Sequence, residues 1–514
     1  MTLKGREGDG ATAKAKDPPP EPPLSLEFVV PVAEAARLAR FPILAALREG
    51  RISTSAEEIR WLDTPSGALS AAGTLLEAPR RGPRRLITLA PAAEAPWYPG
   101  QILSPDALLS PNDMPEAAKG EALTALVAFT GKKRSQRLLI GNAVVALSLI
   151  QGHLRAVAAE REVARVNLTG PAPAVLDLAR RLAAALPLLP PSQSLGAQAL
   201  SLATGQTPEP RRRGAPDTSE AASAEGCFTI AIGHLLEVAL HYAPIARAGL
   251  DIEGVHQLRV ALRRLRSVLK VFRPITGCKQ GRALDGAVKE MLALLGPARD
   301  WDVFLAGIGA DLAALLPEDR RLHALLEAAE AKRQAAYQAL AGALDGPAWR
   351  QVLVAGISFL LEKPWRAGAD AERFGWLDGV PNEFAARVLD KRWGVLRAAG
   401  AEIESLSPEA LHELRLDAKR LRYAAEVFAP VFAPKAARRF LRRLAALQEE
   451  LGRSNDAAVA RGLVQALVRD KDEGRIWAIG LMEGWCLARS VMDRDDVLAA
   501  WKKLSDKESF WSAH

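Results

Sequence analysis

Cysteine is scarce: Cys227, Cys278 and Cys486 are the three in 514 residues, far apart and with no C-x-x-C pair. That excludes a zinc ribbon and a disulfide framework, and it points to a reducing compartment. Aromatic residues are 5% of the chain, too few for rows of base-stacking platforms. Long apolar runs are missing too. The longest uncharged one, Val352 to Leu361, is about half of the ~20 residues that a bilayer-crossing helix needs. No apolar signal-peptide core follows Lys4 and Arg6; the chain runs instead into Asp17-Pro18-Pro19-Pro20-Glu21-Pro22-Pro23. Residues 1–23 are therefore expected to be a disordered Pro-rich leader, and the protein to be cytoplasmic and soluble. The G-x-G-x-x-G, H-E-x-x-H and G-x-S-x-G signatures are absent, and Gly131-Lys132-Lys133 lacks the flanking spacing of a phosphate-binding loop.

What is present is globular and mildly basic. Lys and Arg number 68 against 60 Asp and Glu, a net charge of +8, with 49% hydrophobic and 25% charged residues. This length suits two to four domains, each with its own core. From Leu24, the alternation of Leu24, Leu26, Phe28 and Val30 with Ser25, Glu27 and Val29 predicts a strand. Arg84–Ala90, Asn142–Gln151 and Glu162–Leu168 have the same short, β-branched character, and helices are predicted over Val32–Arg48 and Ala174–Leu186. Residues 24–205 thus read as a mixed domain with a strand-rich core. The stretch 206–224, with Arg211-Arg212-Arg213 between prolines and glycines, offers nothing to pack and reads as a linker. Beyond it Ala, Leu and Arg recur at helical spacing, predicting an all-helical region over 225–514.

That region carries an internal repeat at a constant offset of 156 residues. His256-Gln257-Leu258-Arg259 through Phe272-Arg273-Pro274 aligns with His412-Glu413-Leu414-Arg415 through Phe428-Ala429-Pro430, and Lys279, Arg282, Gly296 and Asp300 align with Lys435, Arg438, Gly452 and Asp456. One gap-free offset over some forty residues predicts duplicated helical units, about 226–381 and 382–514, related by a pseudo-two-fold axis. Asp300 and Asp302 follow Gly296-Pro297 and are expected to cap the start of a new helix.

At about 100° per residue, His256, Arg259, Arg263, Arg266 and Lys270 share an arc of roughly 80°, while Leu258, Leu262, Leu265, Leu269 and Phe272 share the arc beside it. The second copy repeats the design with His412, Arg415, Lys419 and Arg422 against Leu414, Leu421 and Phe428. Arg264 and Arg420 fall off the arc, toward solvent or a neighbouring helix. A solvated face usually alternates signs, yet His256 to Arg273 holds six cations and no acid. In the second copy Glu413, Asp417 and Glu426 dilute the charge, and Lys435–Arg443 supplies five further cations without an acid. Helices that carry like-charge repulsion twice, at matching positions, point to an anionic partner. The preponderance of Arg suits bidentate grip on phosphate oxygens. Stacking aromatics and base-reading amides are nearly absent, with only Tyr423 beside the second stripe, so a phosphate chain without bases fits better than nucleic acid. Two histidines on the stripes would add charge as pH falls.

His256-x-x-Arg-Val-x-x-Arg-Arg-Leu-Arg266 and His412-x-x-Arg415-x-x-x-Lys419-Arg420-Leu421-Arg422-Tyr423, with the Leu-Gly…Asp turns at Gly296–Asp302 and Gly452–Asp456, resemble the CHAD (conserved histidine α-helical domain) family. The resemblance spans roughly 225–514. It implies two pseudosymmetric helical bundles that bind inorganic polyphosphate along a basic groove. By matched position the binding roles would fall on His256, Arg259, Arg263, Arg266, Lys270, His412, Arg415, Lys419 and Arg422, with Arg264, Arg420, Tyr423, Lys435 and Arg438 as weaker candidates.

CHAD regions often follow a CYTH domain, an eight-stranded triphosphate tunnel, and residues 24–205 resemble an eroded copy. The Glu-x-Glu-x-Lys strand is reduced to inward-facing Ser25, Glu27 and Val29. Leu75-Leu76-Glu77-Ala78 replaces a Leu-Arg-x-Arg run, Thr88-Leu89-Ala90 a Thr-x-Lys strand, and Ser192-Gln193-Ser194 a late lysine. Metal-assisted triphosphate hydrolysis needs clustered carboxylates and cations, which a single Glu27 does not supply. Arg84, Arg85, Lys132, Lys133, Arg134 and Arg137 are explained as well by solubility as by a ligand.

The expected fold is therefore an α+β chain: an eroded β-tunnel followed by an all-α CHAD module. The expected function is non-enzymatic binding of inorganic polyphosphate, with association with polyphosphate granules as a further consequence. No cofactor, membrane or specific nucleic-acid partner is expected, nucleic acid entering only as a non-specific competitor. The alternative is a metal-dependent inorganic triphosphatase acting through Glu27 with Mg²⁺ or Mn²⁺.

Overall fold

The structure, a computed structural model, describes residues 23–38, 40–89, 102–104, 116–206, 214–467, 473–491, 494–506 and 508–512. Residues 1–22 of the expected leader, Ala90 and the Arg211–Arg213 run lie outside that set, as does the side chain of Asp456.

The N-terminal half is one antiparallel curled sheet of β1 (Leu24–Val29), β2 (Arg48–Asp63), β3 (Thr74–Pro79), β4 (Arg85–Thr88), β5 (Ile102–Ser104), β6 (Thr124–Ile140), β7 (Ala143–Arg155) and β8 (Glu160–Gly170), in the order β1-β8-β7-β6-β2-β3-β4-β5. Among the described residues the sheet is a half-barrel, with β1 and β5 at its edges. Interleaved are α1 (Val32–Leu38), α2 (Pro42–Leu47) and α3 (Ala68–Ala71), then α4 (Ala172–Ala185) and α5 (Leu195–Thr204). The single helix expected over 32–48 is broken, because Pro42 lacks an N–H and biases Phe41 toward its observed extended conformation. Arg48 already belongs to β2.

The alternation read in β1 holds: Leu26 and Phe28 are buried under α4, while Ser25 and Glu27 lie on the other face. Where β6 crosses β7, Gly131 sits opposite Gly152. A Cβ on either would stand 2.3 or 2.2 Å from the partner strand's carbonyl oxygens, so only glycine allows this close approach.

The C-terminal half is helical: α6 (Ala224–Ala248), α7 (Ile252–Val271), α8 (Arg273–Thr276), α9 (Lys279–Phe304), α10 (Ala310–Leu315), α11 (Arg320–Asp345), α12 (Pro347–Glu362), α13 (Ala371–Asp378), α14 (Pro381–Ala399), α15 (Pro408–Phe428), α16 (Pro434–Gln465), α17 (Glu473–Val491) and α18 (Arg494–Ser505). By length and composition α6 could cross a membrane, but 67% of its apolar window is buried inside the bundle.

Two further expectations need correction. The stretch after 213 is not an idle linker, because Pro216 and Thr218 are buried. Thr218 donates to the carbonyl of Val427 at 2.7 Å, meeting an acceptor at the end of α15. The Gly296–Asp302 segment is not a turn either. α9 runs through Pro297 without a break, and α16 runs through Gly452. Asp302 is buried in the last turn of α9 and accepts from Arg333 Nε (2.7 Å) and Tyr337 Oη (2.8 Å), tying α9 to α11. Neither it nor Asp300 caps a helix.

The two halves share one continuous apolar core. Arg350 Nε donates to the Ala183 carbonyl at 2.9 Å, and Arg180 pairs with Glu362 at 2.9 Å, so α4 and α12 are joined by both packing and polar contacts.

Candidate functional site

The helices carrying the two stripes begin in the same register. Asp251 caps α7 by accepting from Glu253 N, and Ser407, 156 residues on, caps α15 by accepting from Ala410 N; each such cap contributes about 1 kcal/mol. With both starts set, the apolar stripes fall inward together. Leu258, Leu262 and Leu265 are fully buried, as are Leu414, Leu421 and Phe428. α7 and α15 pack on each other, which brings cations of the two repeat halves into one place.

That place is a groove of about 620 Å³, walled on its apolar side by Leu235 and Val238 of α6 and reached by Gly214. His256, Arg263 and Arg264 enter from α7, and Lys419, Arg422 and Tyr423 from α15. Arg263 Nη2 donates to Tyr423 Oη at 2.8 Å, with its guanidinium 5.8 Å from the ring centroid. Tyr423 thus aims a cation of the other half instead of stacking a base. Arg264 donates to the Gly214 carbonyl (2.8 Å) and to Glu426 (2.7 Å); Arg422 donates to Glu426 (2.8 Å) and Gln448 (3.0 Å).

Arg259 lies just beneath, contacting the Leu292 carbonyl at 3.4 Å. A Cβ on Gly296 would stand 3.4 Å from its Nη1, so the guanidinium lies over that point of α9. Burial, reinforced by Arg263 and Arg299, lowers the Arg259 pKa, with Asp300 and Tyr423 opposing. His256 is also held below the usual imidazole value, first by burial, then by Arg299, with Glu253 opposing and Arg263 adding a smaller push downward. The expected protonation of this histidine is therefore displaced to lower pH.

The remaining predicted residues are elsewhere or otherwise engaged. Arg266, placed on the stripe by its angle, forks onto Asp285 of α9 at 2.7 and 3.4 Å. Arg264, off the arc, reaches into the groove because its neighbouring helix is α15. Arg415 is half-buried; Lys270, His412, Arg420, Lys435 and Arg438 are exposed. Arg420 pairs with Asp417 at 2.5 Å, and Arg438 Nε donates to the Pro434 carbonyl of its own helix. Sequence reasoning missed Arg299, Arg392 and Gln448. Arg299 matches Asn455 in the repeat, so the offset test could not select it. Arg392 of α14 donates to the Arg420 carbonyl at 3.1 Å, and burial, then Arg420, lower its pKa.

On the sheet, Glu27 pairs with Arg165 at 3.0 Å, and buried Arg165 also donates to the Gln193 carbonyl and Gln198. Ser25 shares hydrogen bonds with Asn167 and Thr169. Further along the same face, Trp61, Phe129 and Ile87 are covered by Leu195 and Ala199 of α5, with Gly196 against Ile87 and Trp61. Arg85 is held by Glu77, and Arg137 by Glu49. No group of three or more His, Cys, Asp or Glu side chains that could hold a metal occurs among the described residues. Mg²⁺ or Mn²⁺ wants several oxygen ligands; a lone carboxylate already bonded to arginine does not fit that need.

The CHAD domain family matches residues 230–465. The crystal structure of the CHAD domain from the plant Ricinus communis is similar at 30% identity and a TM-score of 0.50, covering 59% of this chain and 99% of that one. PptA from Streptomyces chartreusis is matched at 16% identity and a TM-score of 0.41, over 56% of this chain and 100% of that one. Two Mycobacterium tuberculosis proteins, both described as uncharacterized, are 26% identical over 258 residues, which is 49% of this chain and 48% of theirs. The chain thus spans about half the length of the curated relatives it matches.

Proposed function

The chain belongs to the CHAD family, and on that premise we propose that it is a non-enzymatic binder of inorganic polyphosphate, held in the groove between α7 and α15. One observation carries the reading: cations from both repeat halves line a single groove, where the Tyr423 ring serves to orient an arginine. Arg263 has Tyr423 as its hydrogen-bond partner and no carboxylate among the described residues, so most of its donors remain for phosphate oxygens. Lys419 adds a point charge, and Arg422 keeps Nη2 beyond its bonds to Glu426 and Gln448. Lys270, Lys435 and Arg438 are exposed and extend the positive field for a polymer longer than the groove.

The sheet is read as an eroded CYTH-like scaffold that packs on the helices through α4. The Glu27–Arg165 pair supports a structural role for Glu27 over a metal-binding one. Association with polyphosphate granules follows from the same reading, as does a cytoplasmic location.

A filter assay with labelled long-chain polyphosphate, challenged with single-stranded and duplex DNA, tests the proposal. Polyphosphate should persist at equal phosphate concentration; displacement by DNA would make the groove a general polyanion trap.

A further inference from the structure

Glu426 stands behind the groove and not in it. Its carboxylate accepts from Arg264 Nη2 at 2.7 Å and from Arg422 Nε at 2.8 Å, so one acid joins a cation from each repeat half. Both arginines line the groove, whereas Glu426 does not. Its side chain is 11% exposed, against 16% for Arg264 and 35% for Arg422. At the matching position the first half has Lys270, which is exposed. Where the first copy has a solvated cation, the second has a largely buried acid, at the spot where it reaches across the repeat.

An acid lowers the groove's attraction for any anion, so charge alone gives no reason for its presence. Geometry does. Arg264 is held by Glu426 and the Gly214 carbonyl, and Arg422 by Glu426 and Gln448. A free arginine loses rotamer freedom when it meets a ligand, while one anchored at two points has already lost it. We infer that Glu426 is a positioning residue, setting Arg264 and Arg422 for an incoming polyphosphate at the expense of one positive charge. This rests on the polyphosphate reading above.

Glu426→Gln and Glu426→Ala remove the same charge, but glutamine keeps an acceptor oxygen and alanine keeps none. Glu426→Met fills the space without an acceptor and serves where the alanine variant does not fold. The full chain and its variants are compared for affinity to long-chain polyphosphate at one salt concentration, with thermal melts to check folding. Positioning predicts that E426A and E426M bind about ten-fold more weakly than E426Q. Equal affinity among the three variants overturns the inference, since Glu426 would then act through charge or folding alone. A wild-type chain that binds no polyphosphate overturns the functional reading itself, and this inference with it.

Discussion

Phe272 and Phe428 occupy the same position in the two repeat halves, and their rings meet, centroids 5.3 Å apart and tilted by 47°. Both are fully buried, and Phe384 touches each of them. Equivalent residues of a duplicated unit come into contact only close to the axis that relates the copies, so this pair marks the pseudo-two-fold and fixes how α7 meets α15. The groove lies beside the same helix pair.

Phe428→Ala should therefore cost about 3–5 kcal/mol, through a cavity at the junction of both halves. Phe272→Ala should cost a similar amount, and the double variant less than the sum, because the partners share one cavity. Chemical denaturation of the three variants measures this; strict additivity would mean that the rings do not stabilise each other.

Asp302, with a fully buried side chain, holds Arg333 and Tyr337. Asp302→Ala leaves Tyr337 without its acceptor and Arg333 with Glu330 alone, so it should destabilise by about 1–3 kcal/mol. Burial first, then Asp302, pushes the Tyr337 phenol up to about 12. Ultraviolet titration of Asp302→Asn should show that tyrosine ionising at lower pH than in the wild type; an unchanged titration would separate Tyr337 from Asp302.

His256 titrates below its ordinary value of 6.5. The unfolded chain thus takes up a proton there before the folded one does, and the stability contributed by the neutral imidazole is lost as pH falls below the unfolded value. A bound polyanion has the opposite effect, favouring the imidazolium, so polyphosphate affinity should rise as pH falls toward the lowered value of the folded imidazole. His256→Gln should flatten both profiles. An unchanged pH dependence of binding in that variant would remove His256 from the groove's chemistry.

Charge reversal at Arg263 together with Lys419 should abolish most polyphosphate affinity and reduce the slope of log affinity against log salt, by analogy with counterion release on nucleic acids. Reversal at Lys435 with Arg438, exposed and away from the groove lining, should have a smaller effect. Equal losses from the two pairs would indicate diffuse attraction without a groove.

Incubation with tripolyphosphate and Mg²⁺ or Mn²⁺ should release no phosphate, because Glu27 is committed to Arg165. Release that disappears in Glu27→Ala would establish the triphosphatase alternative.

The elements were legible to different depths, for identifiable reasons. Short-range pattern located β1, nearly all of α4, and the apolar stripes of α7 and α15, since alternation and helical period are local properties. Gly296-Pro297 misled because that dipeptide usually ends a helix, whereas α9 carries both residues inside. Thr218 misled because a polar, Pro-flanked stretch looks unpackable until the end of α15 supplies an acceptor. Helical angles ranked Arg266 above Arg264, and the structure places Arg264 at the groove and Arg266 on Asp285.

By itself the sequence determines the duplication, its register, the buried stripes and the presence of an acid-free cationic face, because each of these depends on spacing along one chain. Which of those cations stay open to a ligand is decided only by tertiary structure. Asp285, which ties up Arg266, and Glu426, which anchors Arg264 at the groove, lie 19 and 162 residues from the arginines they hold. No local pattern can foresee a charge that arrives from another helix.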